Sequence, residues 1–137
     1  MPPAKLRVLL ADDHEETLRE VAALLERDFE LVGAVHDGAA LVEAGTRLKP
    51  DVVIADLKMP KLNGLEAARS LLTTGVCRNV VLLTMHADKE RARRALNTGI
   101  RGYVLKVDAG EDLIPAIQKV ADGGTFLSSA IASKLAG

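Results

Sequence analysis

Five polar residues stand at the ends of short apolar runs. Asp12 and Asp13 follow KLRVLLA, Asp56 follows VVIA, Thr84 closes VVLLT and Lys106 follows GYVL. If those runs are parallel strands of one open sheet, all five groups meet at one rim, because ligands in such sheets bind beyond the carboxyl ends of the strands. Convergence has an electrostatic cost. Two carboxylates about 5 Å apart at an effective dielectric near 20 repel by roughly 3 kcal/mol, so three of them need a proton or a cation. Lys106 brings one positive charge. A hard divalent ion brings the rest, and Mg²⁺ suits two carboxylates, a carbonyl and waters. A carboxylate beside such an ion and an ammonium can also attack a phosphorus centre and form an acyl phosphate, with the cations and a hydroxyl such as Thr84 stabilising the transferring group. Taken singly, Asp12 or Asp13 reads as a helix cap and Asp56 as the start of a turn. It is the set of five that points to a site.

The elements that must position them follow from hydrophobic spacing. Strands are expected over 5–11, 31–35, 51–55, 80–84 and 102–105, and helices over 14–27, 38–48, 64–73, 88–97 and 111–121. Gly99 closes the fourth helix and Gly123-Gly124 the fifth. Alternation of this kind, with nearly continuous apolar strands, predicts an α/β fold built on a five-stranded parallel sheet flanked by five helices. Pro115 falls inside the fifth helix and is expected to remove a backbone hydrogen bond and kink its first turns.

Composition narrows the function classes. The chain has 137 residues, enough for one domain, with 48% apolar, 27% charged and only 2% aromatic residues, and a net charge of −1. This balance gives no electrostatic reason to expect direct nucleic-acid or anionic-membrane binding. The basic cluster Lys89, Arg91, Arg93 and Arg94 reads as a solvated helix face. A single cysteine, Cys77, permits no intrachain disulfide and suits a reducing compartment. No leader peptide is visible at residues 1–5 and no apolar stretch approaches a membrane span, so a cytoplasmic location is expected.

ADDH at 11–14, DLKMPKLNG at 56–64, LLTMH at 82–86 and GYVLK at 102–106 resemble, in order and spacing, the motifs of the receiver domain of two-component response regulators. The ending VADGGTFLSS further resembles receivers of the NarL/FixJ type. The resemblance implies a flavodoxin-like doubly wound (βα)5 fold with strand order 2-1-3-4-5. Asp56 would be the phosphoacceptor, and Asp12, Asp13, Asp56 and the backbone carbonyl of Lys58 would bind Mg²⁺. Thr84 and Lys106 would hold the phosphoryl group, and Tyr103 would turn inward as Thr84 moves. The implied partners are a sensor histidine kinase and, on phosphorylation, a second copy of the chain. DNA would be reached only through a helix-turn-helix output domain that this chain does not contain. Residues 1–124 are then the receiver, and 125–137 a linker with a short helix capped by Ser128 or Ser129. The alternative is a stand-alone receiver acting by protein–protein contact or phosphorelay.

The chain departs from the family pattern at two places. Val107 stands where many receivers have a proline in a cis bond, which bears on the placement of Lys106, and Met85 stands where many have a small residue, which bears on access to Asp56. Lys58 and His86 flank the site and could tune hydrolysis. His14 invites a zinc reading that three scattered histidines do not support. An aspartyl-phosphate phosphatase resembling haloacid dehalogenases would carry a second acid two residues after the nucleophile, where Lys58 stands. A flavodoxin-type carrier would need a Ser/Thr/Gly-rich loop in place of ADDHEE. A signalling receiver, not an enzyme acting on an outside substrate, is therefore expected.

Overall fold

A computed structural model describes residues 5–136; residues 1–4, where no leader is expected, and Gly137 lie outside them. The chain runs β1 (Arg7–Ala11), α1 (Glu15–Leu25), β2 (Glu30–Val35), α2 (Gly38–Leu48), β3 (Val52–Asp56), α3 (Gly64–Thr73), β4 (Val80–Thr84), α4 (Lys89–Thr98) and β5 (Gly102–Leu105). A single 3-10 turn (Lys106–Asp108) leads into α5 (Ala109–Ala121), β6 (Phe126–Leu127) and α6 (Ser129–Ala136). All strand pairs are parallel, in the order β2-β1-β3-β4-β5-β6.

Strands buried on both faces explain the unbroken apolar runs: every residue of β3, β4 and β5 is buried. Successive side chains alternate between two cores. Leu9, Val53, Leu82 and Tyr103 face one side and pack with Leu41, Leu71, Ala95 and Ile131. Leu10, Ile54, Leu83 and Val104 face the other and pack with Leu18, Leu25, Leu113 and Ile117. Helices α2, α3, α4 and α6 thus cover one face, and α1 and α5 the other. Three helices open on side-chain caps, as short Asp and Asn side chains favour. Asp37 accepts from the Ala40 N–H at 2.7 Å, Asn63 from Glu66 at 2.8 Å, and Asp88 from Glu90 and Arg91 at 3.0 and 3.2 Å.

The sheet corrects the expected count of five strands: there are six among the described residues, while the short C-terminal helix expected within 125–137 is α6. The sixth strand is only two residues long, too short to show a period. It forms because the β5 edge presents backbone carbonyls that need donors. Phe126 N–H donates to Arg101 at 2.8 Å and Ser128 N–H to Tyr103 at 3.0 Å. Helix α5 starts two residues earlier than expected and runs unbroken through Pro115. Pro115 is on the solvent face, where water can satisfy the Glu111 carbonyl that its ring leaves without a helical donor.

Candidate functional site

Register brings the polar groups together. Ala11 pairs with Ala55, Asp56 with Leu83, and Thr84 with Leu105. Each of these polar groups therefore lies at the carboxyl edge of the sheet, and Asp12, Asp13, Asp56 and Lys106 share one cleft. Asp12, Asp56 and Thr84 are buried at 3%, 6% and 4% exposure, while Asp13 lies on the exposed lip.

Lys106 organises the floor. Its Nζ is 2.9 Å from Asp12 Oδ2 and 3.3 Å from Asp56 Oδ2. Burial by itself would disfavour the ammonium, but the close Asp12 carboxylate that Lys106 points to and the charges of Asp56 and Asp12 outweigh it and hold the Lys106 pKa above its usual value. Asp56 is pushed the other way. Burial and the neighbouring Asp12 charge raise its carboxyl above the ordinary range, against the opposing pull of Lys106 and of the Lys58 N–H, 3.4 Å from Oδ1. The ionised cleft is thus short of positive charge even with Lys106 in place.

Oxygens of Asp12, Asp13 and Asp56, with a nitrogen of His14, lie within 4.8 Å of one another. Asp12 Oδ2 has an ion-pair partner but no aligned hydrogen-bond donor. Three carboxylates with spare lone pairs and unmet charge make a donor set suited to a hard divalent cation. His14 is turned toward the acids, its Nδ1 3.0 Å from Asp13 and 3.3 Å from Asp12. The side chain of Lys58 is exposed, as is that of His86, whose N–H reaches Thr84 Oγ1 at 3.4 Å.

Tyr103 is fully inside at 1% exposure, its hydroxyl near the Thr84 side chain but without an aligned hydrogen-bond partner. Burial, reinforced by the Asp88 charge, pushes its phenol up. The ring is therefore already inward in this structure. No peptide bond among the described residues is cis. Lys106–Val107 is trans, and the 3-10 turn carries Lys106 to its partners. Met85 is 68% exposed, and Val107 85%. The two side chains flank a groove of about 550 Å³ between α1 and the start of α5, which Val21, Leu24 and Lys106 also line. The Arg-rich face of α4 carries exposed pairs, Arg91–Asp88 at 3.5 Å and Arg93–Glu90 at 3.8 Å, as a solvated face should. Cys77 is buried and its thiol pushed up by burial.

Two residues matter more than their types suggest. Gly64, which follows Asn63 at the start of α3, lies against the backbone of Asp56: a Cβ there would overlap the Asp56 carbonyl. Asn-Gly was the available signal, but it does not reveal a close approach. Ser128, read as a helix cap, instead directs its buried hydroxyl toward β5 and α5.

Residues 8–118 match the family model described as "Response regulator receiver domain". The chain is 34% identical over 134 residues to the transcriptional regulatory protein DegU of Brevibacillus brevis, covering 96% of this chain and 56% of that protein. The chain spans 56–64% of the length of DegU and two further curated relatives. A two-component response regulator of the LuxR family from Aurantimonas sp. SI85-9A1 superposes with a TM-score of 0.91 at 29% identity, covering 97% of this chain and 96% of that one. The isolated receiver domain of RcsB from Salmonella enterica serovar Typhimurium, solved with the phosphomimetic BeF3−, gives 0.86 at 28% identity over 96% and 99%. The flavodoxin-like sheet and the acid-rich cleft at its carboxyl edge accordingly have a family: the chain belongs to the response regulator receiver domains, among NarL/LuxR-type relatives.

Proposed function

We propose that Asp56 accepts a phosphoryl group from a sensor histidine kinase and that the resulting acyl phosphate switches the domain's surface. The observation that carries this reading is the Lys106 ammonium set between two buried carboxylates, 2.9 Å from Asp12 and 3.3 Å from Asp56, with Thr84 closing the next strand. An Asp56 oxygen attacks phosphorus as the bond to the donor breaks. The bonding pair leaves with the donor, a histidine nitrogen or the acyl oxygen of acetyl phosphate, and a mixed anhydride remains on Asp56. Lys106 and the Thr84 hydroxyl offer positive charge and a hydrogen bond to the phosphoryl oxygens. Water attacking phosphorus later returns the carboxylate and inorganic phosphate. Asp12, Asp13, Asp56 and the Lys58 carbonyl would hold Mg²⁺, which when bound supplies further positive charge beside the transferring group.

The groove flanked by Met85 and Val107 opens beside Lys106 and offers an apolar seat to the kinase segment that presents the phosphohistidine. The names of relatives such as "Transcriptional regulatory protein DegU" support transcription as the output, carried by a helix-turn-helix domain outside this chain and by phosphorylated dimers. No helix among the described residues is long and apolar enough to cross a membrane. The test is incubation with acetyl phosphate and Mg²⁺, read by intact mass. One phosphoryl group is expected on the parent chain and none on Asp56→Asn or in excess chelator. Equal labelling of parent and variant would overturn the reading.

A further inference from the structure

The C-terminal segment is bonded to both loops that carry the phosphoryl-binding residues. At its start, Ser128 is 1% exposed and stands where a helix cap is expected, since its carbonyl accepts from Ile131 at 2.9 Å. Its hydroxyl does not cap. It accepts the Leu105 N–H at 3.0 Å and donates to Asp112 Oδ2 at 2.9 Å. Leu105 is the residue before Lys106. In the middle of the segment Ile131 is fully buried, in the same core as Tyr103. Toward the end of α6, Lys134 Nζ donates to the Ala87 carbonyl at 2.7 Å. Ala87 lies three residues after Thr84 and leads into α4, against which α6 packs.

We propose that Ser128 is a positioning residue for Lys106, and that α6 docking and phosphoryl occupancy of Asp56 are thermodynamically coupled through the Lys134–Ala87 bond. The proposal rests on the receiver reading above. Lys106 sits in a 3-10 turn directly after β5, so the backbone at Leu105 sets where its ammonium begins. Ser128 holds that backbone from one side while Asp112 holds Ser128 from α5. On the other loop, a phosphoryl oxygen that draws Thr84 inward pulls Met85–Ala87 with it. The Ala87 carbonyl then leaves Lys134, and α6 loosens. Coupling is reciprocal: if phosphoryl binding loosens α6, loosening α6 favours phosphoryl binding by the same factor. Tyr103, already inward, leaves the helix above it as the part free to respond.

The test is amide hydrogen exchange on the whole chain, with and without Mg²⁺ and beryllofluoride, for the parent, Lys134→Met and Ser128→Ala. In the parent, beryllofluoride is expected to slow exchange around 54–58 and 82–86 and to speed it about fivefold or more over 129–136, within the usual range of coupling factors. Lys134→Met, a surface change that leaves the core intact, should raise α6 exchange in the bare protein and erase most of the response. Slowed exchange at the site with α6 unchanged overturns the coupling. No response at the site overturns the receiver reading and the proposal with it. Ser128→Ala should lower the rate of phosphorylation by acetyl phosphate about tenfold, and Ser128→Thr, which keeps the hydroxyl, should restore it. Equal rates in all three, or a loss that follows the melting temperature and not the hydroxyl, overturn the positioning role.

Discussion

With Asp12 beside it and little solvent around it, an ionised Asp56 works against the fold that holds it. Its carboxyl is raised from an ordinary 3.8, first by burial and then by Asp12. A group whose pKa is higher folded than unfolded binds more protons in the folded state, so stability falls as pH rises from the unfolded value through the folded one. Asp56→Asn should therefore stabilise the chain at neutral pH. In urea titrations the advantage should vanish as pH falls to about 4 and below, and shrink when Mg²⁺ is added, because the ion favours the parent. A parent as stable as the variant at neutral pH in chelator would contradict this assignment of strain. Val107 acts differently, through exposure. Val107→Asp should slow transfer from a phosphohistidine protein at least tenfold, by placing a charge in an apolar seat, while leaving acetyl phosphate labelling within about twofold. Parallel losses with both donors would place Val107 at the chemistry and not at the partner.

The elements set the geometry that these residues exploit. The loop from β3 to α3 passes so close to Asp56 that Gly64 cannot take a side chain without displacing the Asp56 carbonyl. Gly64→Ala should cost about 2–3 kcal/mol, as overpacking does, and should lower the phosphorylation rate through the displaced carboxylate. Unfolding curves and labelling rates check both, and a variant as stable and as fast as the parent would show that the loop yields freely. Much of this layer was legible beforehand. An apolar run followed by a polar residue recurs at four strands, and a parallel sheet turns that one-dimensional rhythm into a single rim, so Asp12, Asp56, Thr84 and Lys106 could be gathered before any coordinates. Contacts remote in sequence and short elements were not legible. Ser128 meets partners 16 and 23 residues away, β6 is two residues long, and the inward pose of Tyr103 depends on how α4 and α6 pack over it.

At the scale of the whole molecule, the sheet separates two jobs. Its carboxyl edge collects charge, while its two faces hold α1 and α5 on one side and α2, α3, α4 and α6 on the other. That edge borders both faces, so a charge added there can be felt by either helical layer. The Met85–Val107 groove lies on the first side and α6 on the second, so the proposed kinase seat and the proposed coupled helix are on opposite faces of the sheet. All of this depends on the phosphoryl group residing at the end of β3. The most direct measurement is chemical trapping: phosphorylate the chain with acetyl phosphate and Mg²⁺, reduce with borohydride, and sequence the peptides by mass spectrometry. An acyl phosphate on aspartate reduces to homoserine, and the account predicts homoserine at position 56 alone. Homoserine at position 12 or 13, or none anywhere after stoichiometric labelling, would contradict it.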